Sequence, residues 1–178
     1  MPRGRAKVLH SEVLFKGKAF GVRRDRIAEP GGIVTTREIV THRGSVVVLP
    51  VFPDRSVLLI RQYRHAAGGY LWEAVAGHLE TGEKPAAAAH RELLEETGYR
   101  AKRAKKLVEF FPSPGFLSER MWAFAATGLT PGPAQQEEDE QITSHRFSLA
   151  AAERMIRDGT IHDAKTIVTL LFVSRFVK

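Results

Sequence analysis

Two apolar runs on either side of a Pro-Asp turn constrain this chain more than any other feature. Residues 45–52, SVVVLPVF, are almost continuously apolar and rich in β-branched side chains; after Pro53 and Asp54 the pattern resumes as SVLLIRQY over residues 56–63. A strand with one face in water alternates polar and apolar residues, so runs without alternation predict strands buried on both faces. Both faces of such a sheet need covering layers, and helical patterns elsewhere in the chain supply them.

Composition and end signals locate these helices. Residues 84–97 are helical in composition: Pro85 suits a first-turn position, an alanine run follows, and Gly98 stands where a C-terminal cap is wanted. Residues 148–159, SLAAAERMIRDG, form a second helix with Ser148 as N-cap and Gly159 as stop. A third begins at Asp163 and is apolar on most sides, and further strands are expected at RAKKLVEFF, RMWAFAATGL and ITSHRFS. Upstream, residues 13–42 alternate polar and apolar residues around a Pro-Gly-Gly turn, which predicts a small antiparallel β subdomain over residues 1–43, ahead of a main domain over residues 44–178. The fold class is α/β, a mixed sheet sandwiched between helices.

At 178 residues the chain can bury a core without covalent staples, and it contains no cysteine, so disulfides, thiolate zinc sites and cysteine nucleophiles are excluded. Any metal must be held by oxygen or histidine, and the seven histidines do not cluster at ligand spacing. The net charge of +7 comes largely from clusters at residues 3–7, 23–26 and 100–106. An excess of this kind can serve nucleic-acid binding or attract a small anionic substrate, but none of these runs is long or interleaved with aromatics, so a solvated basic surface is expected. No apolar leader core follows the basic first residues, and the longest apolar stretches are far too short to span a membrane; a cytoplasmic protein with no membrane partner is expected.

Residues 77–99, GHLETGEKPAAAAHRELLEETGY, carry the chemistry. Glu92, Glu95 and Glu96 stand at i, i+3 and i+4, so they share one helix face, where like charges repel. A divalent cation removes that repulsion and turns the cluster into a site. His78 and His90 lie in the same stretch and are read as surface or satisfied polar residues.

The order of residues here, Gly77, Glu83, then Arg91, Glu92, Leu93, Glu95, Glu96 and Gly98 in register, is identified as the box of the Nudix hydrolases, which cleave nucleoside diphosphates linked to another group. Tyr99 departs from it, standing where an aliphatic residue is usual. The resemblance implies the Nudix α/β/α sandwich and Mg²⁺ or Mn²⁺ bound by Glu92, Glu96 and the carbonyl of Ala76, with Glu95 in the catalytic set. It implies that Glu83 and Arg91 pair to brace the loop against the helix, and that Gly77 and Gly98 are structural. Four successive acids at residues 137–140 lie in a stretch that by itself reads as a solvated loop. The resemblance makes Glu138 the general base and Glu140 a metal ligand, with the register open by a residue or two.

Residues outside the box bear on the substrate. In FFPSPGFLSER, Pro114 follows Gly98 by sixteen residues, and the segment resembles that of ADP-ribose pyrophosphatases, with Ser113, Gly115 and Glu119 matching. The same subfamily is similar at RQYR, residues 61–64, and at Glu73. These likenesses imply that Arg64 holds the diphosphate and that Glu38 contributes to substrate binding. They also imply a homodimer whose N-terminal subdomains are exchanged; Phe20 could stack on the base, although an aromatic in an alternating pattern is ordinarily core. The expected reaction is Mg²⁺-dependent hydrolysis of ADP-ribose to AMP and ribose 5-phosphate. Hydrolysis of another nucleotide sugar, such as GDP-mannose or ADP-glucose, is the alternative. A non-catalytic nucleic-acid-binding module is a further one, against which the intact Glu92 and Glu96 argue.

Overall fold

The computed structural model describes residues 4–135 and 141–177, and contacts divide the chain into two units. The first comprises Met1–Gly44 together with Phe111–Arg120. Its strands β1 (Lys7–Lys16), β2 (Gly21–Ala28) and β3 (Val34–Thr41) form an antiparallel sheet in that order. The β2–β3 turn runs through Gly31 and Gly32, both at positive φ (111° and 91°), a region that favours glycine. Residues 111–120 attach to β3 from far along the chain: Val40 N–H donates to the Phe116 carbonyl (2.8 Å), and Ser118 N–H donates to that of Val40 (2.9 Å). Strand β1 is exposed along its whole length, including Val8, Val13, Leu14 and Phe15.

The second unit comprises Ser45–Phe110 and Met121–Lys178. In chain order it contains β4 (Ser45–Pro50), β5 (Ser56–Arg64), β6 (Gly69–Glu73), β7 (Val75–His78), α1 (Pro85–Thr97), β8 (Arg100–Phe110), β9 (Met121–Thr130), β10 (Thr143–Ser148), α2 (Leu149–Arg157) and α3 (Ala164–Phe176). A mixed sheet has the order β7-β4-β9-β8, with β4 and β9 parallel, and a separate antiparallel sheet has the order β10-β5-β6. The two apolar runs therefore do not lie in one sheet. They meet at a single bridge, Val51 with Val57, and then diverge.

Side-chain alternation along β4 explains why the run is apolar throughout. Val46 and Val48 join Phe124 and Ala126 against Ala88, Ala89 and Leu93 of α1. Val47 and Leu49 point the other way, with Ala123 and Ala125, onto Val57 and Leu59 of β5, Ala152 of α2, and Leu170 and Val173 of α3. Both faces are thus dry, and each fully buried Val or Leu contributes roughly 1.5–3 kcal/mol relative to exposure. The expected α/β/α layering follows from that double burial. Among the described residues no helix is long and apolar enough to cross a membrane.

Helix ends follow local chemistry. Pro85 opens α1, Ser148 Oγ accepts from Ala151 N–H at α2, and Asp163 accepts from Thr166 N–H at α3. Gly98 closes α1 at φ 74°, its N–H donating to the Leu94 carbonyl. A Cβ there would stand 2.3 Å from the Gly132 carbonyl oxygen. Gly98→Ala therefore combines left-handed strain with a backbone clash, and we expect a loss of about 2 kcal/mol, a fall in Tm of roughly 4–8 °C by calorimetry.

Candidate active site

Helix α1 buries a stripe made of Ala88, Ala89, Glu92, Leu93 and Glu96. Two of its five members are ionisable, with Glu92 9% and Glu96 4% exposed. Glu95 lies on the flank, its side chain 36% exposed. Carboxylates placed where a packing helix wants Leu or Ala must be compensated by charge or hydrogen bonds.

Arg91 supplies part of that compensation. Its Nη1 donates to Glu92 Oε1 (2.7 Å) and Glu95 Oε2 (3.0 Å), while Nε and Nη2 form a fork on the two oxygens of Glu83 (3.0 and 2.9 Å). Nη2 also donates to the His78 carbonyl (3.0 Å), so one guanidinium ties the loop before α1 to the helix. The hydrogen bond from Arg91 holds the Glu83 carboxyl below its ordinary range, with a further donation from Glu80 N–H; the acids around Arg91, Glu83 foremost, stabilise its charged form. Arg91 is thus more than a brace to Glu83, because it also relieves repulsion between Glu92 and Glu95.

Gly77 sits in β7, paired with Val46 of β4. A Cβ at this position would come within 1.9 Å of the Glu92 carboxyl carbon and 2.0 and 2.2 Å of its oxygens. Glycine is required here for space: the Glu92 carboxylate lies directly against the Gly77 backbone, next to Ala76. A cradle that a methyl group would fill, together with an all-oxygen donor set, fits a hard divalent cation. No three acids or histidines converge to enclose one among the described residues. Glu138 and Glu140 lie outside those residues.

The described chain on both sides of residues 137–140 is anchored. Gln135 N–H donates to the Glu95 carbonyl (3.0 Å), and Ile142 is buried in the cluster that contains Leu93.

Arg64, at the end of β5, meets a second buried carboxylate. Its Nε and Nη2 donate to Glu73 Oε1 and Oε2, both at 2.8 Å, and Glu73 is fully buried in β6. Lys165 of α3 donates to Glu73 Oε2 (2.5 Å) and to Asp163 Oδ1 (2.9 Å). Burial pushes the Glu73 carboxyl up, but the hydrogen bonds and charges of Arg64 and Lys165 outweigh it, and the net direction is below the ordinary range. Arg64 is correspondingly held in its charged form, chiefly by Glu73, with Glu96 and Asp163 contributing through their charge. Sequence reasoning passed over Lys165, because 92 positions separate it from Glu73.

The remaining predicted residues belong to the first unit. Glu38 accepts from Arg24 Nη2 (2.8 Å) and Nε (3.1 Å) at the surface. The Ser113 carbonyl accepts from Leu117 N–H (3.0 Å), turning the chain around Gly115, whose missing Cβ would meet nothing within 4 Å. Glu119 Oε1 lies 3.5 Å from His42 Nδ1, which accepts from Gly44 N–H (3.0 Å); His42 had no sequence signal. Phe20 is 47% exposed rather than core, its ring centroid 5.6 Å from that of Phe15.

The NUDIX domain model matches residues 41–170, and this chain belongs to that family. It is 36% identical over 170 residues to the ADP-ribose pyrophosphatase of Mycobacterium tuberculosis, an alignment covering 94% of this chain and 82% of the relative. It is 34% identical over 169 residues to the ADP-ribose pyrophosphatase of Bacillus subtilis, covering 94% and 91%. A solved structure described as an ADP compounds hydrolase superposes with a TM-score of 0.85 at 25% identity, over 98% of this chain and 95% of that one.

Proposed function

We propose that this protein hydrolyses the diphosphate linkage of ADP-ribose to AMP and ribose 5-phosphate, with Mg²⁺ or Mn²⁺ as cofactor. The observation that carries the reading is the burial of Glu92 and Glu96 in the packing stripe of α1, with the Glu92 carboxylate laid against Gly77. Two acids in that position weaken a core unless they are used, and the donor chemistry suits a divalent cation. ADP-ribose is favoured over other nucleotide sugars by the likeness, over 94% of this chain, to the two ADP-ribose pyrophosphatases, and by Ser113, Gly115 and Glu119, which resemble the matching segment of that subfamily.

A cation held by Glu92, Glu96, the Ala76 carbonyl and Glu140 would supply charge neutralisation at the phosphates and a more acidic water. Arg64 binds diphosphate oxygens with the N–H groups it does not spend on Glu73. Glu138 accepts the proton of the attacking water as its oxygen bonds to phosphorus and the bond from phosphorus to the bridging oxygen breaks, leaving two phosphomonoesters. The anchoring of Gln135 at Glu95 and the burial of Ile142 support this role for residues 137–140. Glu95, half committed to Arg91, is the other carboxylate of the catalytic set, and Glu38, Ser113, Gly115 and Glu119 take part in substrate binding.

The N-terminal subdomain, residues 1–43, serves dimerisation with exchange between protomers, and the protein is cytoplasmic. Exposed Val8, Val13, Leu14 and Phe15 on β1 support the pairing. Light scattering should give a mass near twice the 19.8 kDa of one chain, and a monomer mass would contradict it.

Turnover is checked by ³¹P NMR of ADP-ribose, GDP-mannose and ADP-glucose with Mg²⁺. ADP-ribose should be converted fastest, to two phosphomonoester signals. Faster conversion of either competitor, or none of the three, would overturn the substrate reading.

A further inference from the structure

Glu73 is the centre of a closed ring of contacts rather than half of an ion pair. Its Oε2 accepts from both Arg64 Nη2 (2.8 Å) and Lys165 Nζ (2.5 Å). Lys165 is in turn held by Asp163 Oδ1 (2.9 Å), whose other oxygen accepts from Thr166 N–H (3.0 Å) and Thr166 Oγ1 (2.5 Å). Thr166 Oγ1 accepts from the N–H of Ala74 (2.8 Å), the neighbour of Glu73, and the ring is complete. Glu73 and Thr166 are fully buried, and the Lys165 side chain is 15% exposed.

This geometry restricts one exposed group. The Arg64 side chain is 38% exposed, whereas every partner that orients it is buried or nearly so. A guanidinium has five N–H groups; the Glu73 fork uses two and leaves the others directed away from it. Their direction is set by the rotation of the Glu73 carboxylate. Arg64 alone constrains that rotation only to the extent that its own flexible chain is constrained. Lys165, fixed at the start of α3 by its cap residue, gives Oε2 a second, independent anchor. It also shares the Glu73 charge, so the guanidinium keeps net attraction for an anion.

We infer that Lys165 is a positioning residue for the diphosphate subsite, acting through Glu73 on Arg64. This rests on the reading of Arg64 as the diphosphate-binding side chain. A purely structural Lys165, joining α3 to β6, would affect stability without depending on Arg64.

A double-mutant cycle separates the two, with inorganic pyrophosphate as the probe and calorimetric Kd as the readout, alongside thermal melts. Arg64→Ala should weaken binding by about tenfold or more, as expected for loss of a charged bidentate contact. Lys165→Met should weaken it by about fivefold, Lys165→Arg by no more than about twofold, and Lys165→Met in the Arg64→Ala background should add almost nothing. If Lys165→Met does not fold, Lys165→Gln takes its place. The inference is overturned if the Lys165 variant binds as the wild type does, if its loss multiplies with that of Arg64→Ala, or if the wild type binds no better than Arg64→Ala. Because pyrophosphate carries neither base nor sugar, an intact cycle in a protein that does not turn over ADP-ribose faults the substrate reading alone.

Discussion

The structure depends on two carboxylates occupying the side of a helix that packs. Glu92 and Glu96 lie among Ala88, Ala89 and Leu93 on the stripe that α1 turns toward β4 and β7. An ionised group cannot rest there without a cation or a set of donors, so its neighbours are constrained in turn. Gly77 has no side chain because the Glu92 carboxylate occupies that volume. Arg91 reaches both Glu92 and Glu95 and must itself be neutralised, which Glu83 does from the loop before the helix. The spacing of the box is the linear projection of this small electrostatic cage.

A second buried charge system, on β5, β6 and α3, complements the first. Glu73 draws Arg64 and Lys165 together. Glu96 contributes to holding Arg64 charged, so the acidic and cationic parts share a field. Buried ion networks of this kind are weak evidence for stability and better evidence for fixed geometry. Fixed geometry is what the phosphate-binding role proposed for Arg64 requires.

The sequence made the local parts of this arrangement readable. Helical periodicity puts Glu92, Glu95 and Glu96 on one face whatever surrounds them, and Pro85 and Gly98 mark the helix ends through backbone chemistry alone. The unbroken apolar run at β4 announced burial on two faces. Less was available for contacts that only the fold creates. Nothing local indicated that β4 and β5 enter separate sheets after one bridge, or that residues 111–120 attach to β3. Strands β6 and β7 are short and change sheets at Ala74, so neither offers enough period to be recognised. Lys165 stands in the first turn of α3 with nothing local in the sequence to mark it. The bond from Arg91 to its neighbour Glu92 likewise had no sequence signal, since adjacent helix residues do not normally face each other.

Whether the Glu92–Glu96 stripe holds a divalent cation is decided by Mn²⁺ titration followed by electron paramagnetic resonance, since bound Mn²⁺ loses the sharp signal of the free ion. Wild-type protein should remove Mn²⁺ signal saturably, and Glu96→Gln, folded to the same Tm within a few degrees, should weaken that binding by about tenfold or more. Equal Mn²⁺ binding by Glu96→Gln and wild type would mean that Glu96 is not a metal ligand.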